Sequence, residues 1–294
     1  MTPASTTPPA GTAAAARDER TFMLDIGGLD IRVSVRPGTG FPPNSAPVFD
    51  RPPLLLCNGI GAPIEMWTPF RDPLGRPTIA FDAPGVGESS VPVIPPTMTG
   101  VARLALQILD QLRVPTVDVL GVSWGGALAQ EVAYRGGDRV RRLVLCATMA
   151  GGMPVPGDPR VLAILATPLR YWSPSYLERV APALYGPDVV GNPEMMAHQK
   201  RVRFTRAPSA RGYVWQMLAL RRFASVLWLH RLRQPTLVLS GESDPIIPVA
   251  NGRILAGRIP NGRLEVVEGG HLFLLTHPDR MAGRINDFLD SPTA

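Results

Sequence analysis

Short apolar runs recur along the chain at residues 53–57, 78–81, 116–120, 140–146, 236–240 and 264–267. Polar residues hardly interrupt them, which is the pattern of strands covered on both faces of a parallel sheet. Two further strand-like stretches, 21–26 and 30–36, flank Gly27-Gly28 and predict an opening hairpin. Between the runs lie stretches with helical spacing of apolar residues, at 98–112, 124–135, 249–258 and 278–289. This alternation predicts an α/β fold with a doubly wound, mostly parallel sheet.

The rhythm breaks once. Residues 150–233 contain no strand-like run, only scattered Pro and Gly with helix-like stretches such as 161–165 and 214–229. Trp172, Trp215, Trp228, Tyr171, Tyr176, Tyr185 and Tyr213 all fall here. The segment reads as a helical lid inserted between two strands. The core is then 21–149 with 234–294. Residues 1–20, rich in Ala, Pro and Thr, read as a disordered tail, and 37–53 as a Pro/Gly-rich loop.

Composition adds little to this. Of 294 residues, 45% are apolar and 18% charged, as in an ordinary globular enzyme. No apolar run reaches the ~18–20 residues of a membrane-spanning helix. The first twenty residues lack the basic start and apolar stretch of a secretory signal, so the expected location is the cytoplasm. Cys57 and Cys146 each end an apolar run and read as small, buried, reduced residues.

Charge is more informative. The net +6 is nearly all arginine, with Lys200 as the sole lysine. Residues 151–233 hold eleven Arg and Lys200 against Asp158, Glu178, Asp188 and Glu194, a net +8. No nucleic-acid motif accompanies them, so nucleic acid is not an expected partner. An Arg-rich solvated face is the simpler reading.

The candidate chemistry begins at Gly121-Val122-Ser123-Trp124-Gly125, where a strand-like run meets a helical one. Small residues two before and two after the serine let strand and helix pass close, and the sharp turn lifts the hydroxyl clear of the backbone. The helix start adds N–H donors beside a developing oxyanion. The pentapeptide alone is weak evidence, but its partners follow in the expected order. Asp244 lies just past the run at 236–240, and His271 just past the run at 264–267. All three therefore fall at the carboxyl edge of the sheet, where sites form in open α/β folds. Ser123 is the expected nucleophile, His271 its general base, and Asp244 the group that orients the base. The N–H groups of Trp124 and of Ile60, in the loop Asn58-Gly59-Ile60-Gly61, are the expected oxyanion donors.

Other candidates are weaker. His277 precedes Pro278 and reads as a helix-start residue, while His198 and His230 fall in the lid, where packed or solvated roles are expected. Asp82 reads as a turn former near the site. Glu242 is close enough to Asp244 to substitute for it, and Asp118 sits at the wrong end of its strand. Nothing calls for a metal or an organic cofactor.

LLLCNGIGA, IAFDAPGVGESS, GVSWGGALAQ and GGHLFLLTHP together resemble intracellular poly(3-hydroxyalkanoate) depolymerases of the medium-chain-length type, within the α/β-hydrolase superfamily. The likeness runs roughly over 24–289. It implies an α/β-hydrolase fold, hydrolysis of a stored polyester at granule surfaces with release of 3-hydroxy acids, and a triad of Ser123, Asp244 and His271. The Arg-heavy lid and the extra N-terminal residues depart from the family's pattern. A small-molecule esterase or a cofactor-free perhydrolase could use the same triad. A non-catalytic relative would be expected to have lost one of the three residues.

Overall fold

The computed structural model describes residues 19–37, 47–189 and 191–292. Eight strands form one sheet: β1 (Arg20–Asp25), β2 (Asp30–Arg36), β3 (Leu54–Cys57), β4 (Thr78–Phe81), β5 (Val117–Val122), β6 (Val140–Cys146), β7 (Thr236–Gly241) and β8 (Gly262–Val267). Their order is β1-β2-β4-β3-β5-β6-β7-β8. The β1–β2 and β2–β4 pairs are antiparallel and the rest parallel. Each strand lies within two residues of its expected limits.

The parallel strands are apolar because both faces are covered. On β3, Leu55 and Cys57 join one core cluster and Leu54 and Leu56 the other. Helices Met98–Gln111 and Trp124–Gly136 supply the first cluster, and Thr68–Leu74 and Pro278–Asp290 the second. Cys57 and Cys146 are buried and unpaired, and burial pushes both thiols up.

Between β6 and β7 the described residues form no strand. Helices Pro159–Leu165, Pro174–Tyr185, Pro193–Thr205 and Ala210–Arg221 occupy this stretch. The sequence sets their starts. Asp158, Ser173, Asn192 and Ser209 each accept a first-turn N–H through the side chain, and the first three precede a proline at the first helical position. The single helix expected over 214–229 does not form. It ends at Arg221, and two 3-10 turns follow at Ser225–Leu227 and Leu229–Arg231. Phe223 packs so tightly on Gly151 that a Cβ there would lie 2.3 Å from its ring, and Ser225 Oγ accepts the Gly151 N–H at 3.0 Å. These contacts with Gly151, in the loop after β6, override the local helical pattern.

The expected tail, 1–20, lies outside the described residues except for Glu19 and Arg20. Arg20 opens β1. The Glu19 carboxylate is bonded to Arg71 and Arg36 at 2.8 and 2.9 Å. Burial alone would raise this carboxyl, but Arg71, Ser34 and Arg36 hold it below the usual range. A buried arginine needs such a partner, so Glu19 and Arg20 join the fold where composition suggests a tail. Most of the Pro/Gly-rich loop, 38–46, also lies outside the described residues. No helix among the described residues is long and apolar enough to cross a membrane.

Candidate active site

Ser123 sits between β5 and the helix Trp124–Gly136 with φ 56° and ψ −119°. A positive φ at a non-glycine residue costs about 1–3 kcal/mol and persists only where the surroundings enforce it. Here the crossing of strand and helix enforces it. A Cβ at Gly121 would lie 2.1 Å from the Gly125 carbonyl oxygen, and one at Gly125 would lie 2.0 Å from that of Cys57. The Ser123 backbone is pinned on both sides. Its N–H donates to Cys146 O at 3.0 Å, and its carbonyl accepts from Thr148 Oγ1 at 2.7 Å.

Asp244 and His271 meet as the order of the motifs predicts. Asp244 Oδ2 lies 2.8 Å from His271 Nδ1, and both side chains are buried. Asp244 Oδ1 accepts the N–H groups of Ile246 and Ile247, each at 2.9 Å. The carboxylate is thus fixed in orientation and fully bonded. Glu242, the alternative acid, is exposed. Ser123, Trp124, Ile60 and His271 all line one cavity of about 360 Å³, walled mainly by apolar side chains such as Met66, Leu165, Met217 and Leu275.

The loop from Asn58 to Gly61 lies against Ser123. A Cβ at Gly59 would be 3.8 Å from Ser123 Cβ. The Gly61 N–H is taken by Gln216 Oε1 at 2.7 Å, and Asn58 Nδ2 donates to Pro63 O at 2.7 Å. Asp82, expected to form a turn near the site, accepts the Glu88 N–H across the turn that follows it and is also a buried bracket for this loop. Its Oδ1 accepts the Ile64 N–H at 2.7 Å and its Oδ2 takes Arg32 Nη1 at 3.3 Å. Burial pushes the Asp82 carboxyl up to about 6, against the pull of the Ile64 N–H and Arg32.

The remaining candidates stay apart from this cavity's chemistry. Asp118 is bonded to Arg141 at 3.0 and 2.5 Å. His277 precedes the helix Pro278–Asp290. His198, whose ring burial and Arg201 push down, lies in the helix Pro193–Thr205, and His230 is exposed.

Sequence reasoning missed the contacts that the 150–233 segment makes behind the site. Gln216 holds Gly61 through its side chain and accepts Trp124 Nε1 on its own carbonyl at 2.9 Å. Tyr171 Oη donates to Ile60 O at 2.5 Å. Tyr185 O accepts the His271 N–H at 3.1 Å, and Asp188 Oδ2 that of Gly270 at 3.1 Å. Arg206 pairs with Glu65 at 2.8 Å and with Glu88. The Arg-rich segment is only partly the solvated face expected, because Arg170 and Arg203 are buried. Composition cannot separate a buried arginine from a surface one.

The chain as a whole is similar to known proteins. Residues 54–284 match the alpha/beta hydrolase family. The chain is 45% identical over 273 residues to poly(3-hydroxyalkanoate) depolymerase of Ectopseudomonas oleovorans, covering 92% of each chain. It is 28% identical to 3-oxoadipate enol-lactonase 2 of Acinetobacter baylyi, over 78% of this chain and 85% of that one. A crystal structure of a hydrolase from Pseudomonas aeruginosa PA01 superposes with a TM-score of 0.77 at 25% identity, covering 92% of this chain and 98% of the other. With the strand order and the turn at Ser123, these matches place the chain in the alpha/beta hydrolase family.

Proposed function

We propose that this protein is a serine esterase that hydrolyses the ester bonds of intracellular poly(3-hydroxyalkanoate) and releases 3-hydroxy acids. The observation that carries the chemistry is the Asp244–His271 pair beside the cavity that also holds Ser123. The polymer is carried by the depolymerase relative, 45% identical over 92% of the chain.

With Nδ1–H donating to Asp244, His271 presents an unprotonated Nε2. That nitrogen takes the Ser123 proton as Oγ attacks the ester carbonyl. The N–H groups of Trp124 and Ile60 receive the oxyanion. Collapse expels the alcohol, protonated by His271, and leaves an acyl group on Ser123. Water, deprotonated by the same nitrogen, then releases the acid and restores the serine. The apolar cavity suits aliphatic side chains, with residues 150–233 acting as a lid over it.

Granule contact and a cytoplasmic location follow from this reading. Val93 and Ile94 project from the surface, 84% and 77% exposed, next to Pro92, whose carbonyl accepts Trp215 Nε1 at 3.0 Å. Val214 and Trp172 add exposed apolar area on the lid.

The deciding experiment combines fluorophosphonate labelling with an assay on granules of defined side-chain length. Labelling at Ser123 with release of 3-hydroxy acids is expected. Absence of labelling would sink the serine mechanism. Labelling with turnover of soluble esters alone would favour a small-ester hydrolase, the reading to which the enol-lactonase relative points.

A further inference from the structure

Two arginines are buried in the cavity wall without a countercharge among the described residues. Arg170 and Arg203 are 2% and 4% exposed, and both line the space that holds Ser123 and His271. Arg170 Nη1 donates to Tyr213 Oη at 2.8 Å and to Thr167 O at 3.2 Å. Arg203 donates through Nε and Nη2 to Gln199 Oε1 at 3.1 and 2.9 Å. Arg170 Nε, Arg203 Nη1 and the Tyr185 hydroxyl have no hydrogen-bond partner among the described residues. Neither guanidinium is in an ion pair among the described residues.

Aromatic rings take the place of carboxylates. Arg170 Cζ lies 4.8 Å from the Tyr171 ring centre and 5.2 Å from that of Tyr213. Arg203 Cζ lies 4.7 Å from Tyr171 and 5.3 Å from Tyr185. Burial pushes the Tyr213 phenol up to about 12, so it is neutral at physiological pH and supplies no negative charge. Ring faces attract a cation but offset only part of the cost of removing it from water. Two cations on one tyrosine also repel each other. An anion in the cavity they line would relieve both penalties, and the guanidinium fork matches a carboxylate.

We infer that Arg170 and Arg203, with the Tyr185 hydroxyl, form a subsite for the free terminal carboxylate of the ester substrate. This rests on the reading of the Ser123 cavity as an ester-hydrolase site. A cavity of about 360 Å³ holds only a few monomer units, so the bound carboxylate and the ester under attack are near neighbours along the chain. The enzyme therefore works from the carboxyl end of an oligoester. Interior bonds, which carry no charge, gain nothing from the subsite.

The test compares short 3-hydroxy acid oligoesters that end in a free carboxylate with the same oligoesters ending in a primary amide. The wild type is expected to show kcat/KM roughly tenfold to a hundredfold higher on the free acid. In Arg203→Met and Arg170→Gln that ratio is expected to collapse towards one. A measurement on the wild type alone guards against variants that fail to fold. A 3-hydroxy acid should inhibit at least about tenfold more strongly than its amide. Equal kcat/KM on the two oligoesters, with equal inhibition by acid and amide, overturns the subsite. In that case turnover of a p-nitrophenyl ester still upholds the esterase reading. Loss of turnover on every ester, with no fluorophosphonate labelling, overturns that reading itself.

Discussion

The side chain of Gln216 accepts the backbone N–H of Gly61 at 2.7 Å, so a residue of the inserted segment braces the loop beside Ser123. The same residue holds the Trp124 ring through its carbonyl. Gln216→Leu keeps the volume and the backbone contact but removes the acceptor. Its kcat on a soluble ester is expected to fall roughly tenfold, with KM little changed, because a misplaced donor costs most in the transition state. Gln216→Glu restores an acceptor and should recover most of the loss. Equal kcat in wild type and Gln216→Leu would remove Gln216 as a positioning residue.

Asp244 has both oxygens engaged, one by His271 and one by two backbone N–H groups. Asp244→Asn preserves the shape but favours the wrong imidazole tautomer. By analogy with other triads, kcat should drop by about 10³–10⁴. Ser123→Ala should abolish turnover and labelling while leaving the thermal midpoint close to that of the wild type. Steady-state kinetics and a melting curve check both.

Gly121 and Gly125 have backbone atoms where a methyl group would go, at 2.1 and 2.0 Å. Gly125→Ala forces the helix away from β3 and should destabilise by several kcal/mol, as overpacking in a rigid crossing does. Gly283, inside the helix Pro278–Asp290, has open space within 4 Å of where a Cβ would stand. Gly283→Ala should stabilise by about 0.5–1 kcal/mol. Urea unfolding of the two variants should move the midpoint in opposite directions.

The buried Asp82 makes a pH-dependent contribution. Its carboxyl is raised from 3.8 to about 6 in the folded protein, so the native state binds the proton more tightly than the unfolded chain does. The resulting stability is fully present below pH 3.8 and is lost as pH rises through about 6. The change is of order 3 kcal/mol. The stability of wild type relative to Asp82→Asn should therefore fall across this window and level off above it. Denaturant midpoints measured from pH 4 to pH 7 test this, and a relative stability that rises with pH contradicts it.

The sheet was legible because its strands are buried on both faces and must be continuously apolar, as at 140–146. The proposed triad could be picked out because each member follows such a run. Asp82 was placed near the site, but its role as a bracket for Ile64 depends on a contact across the fold that no local pattern encodes. The same holds for Gln216 and Tyr171. Their partners, Gly61 and Ile60, lie far away in sequence, so spacing carries no trace of them. The helix ending at Arg221 shows the reverse failure, a local pattern overruled by the packing of Phe223 on Gly151.

The bonds from Tyr171 to Ile60, from Gln216 to Gly61 and from Tyr185 to His271 tie the cover of the cavity to its working parts. Lifting that cover to admit a chain end would release the very loops that hold the donors and the base. Loading and turnover would then be mutually exclusive, and the enzyme would be inert while open. Such an interlock would protect other esters in the cell from a serine exposed between cycles.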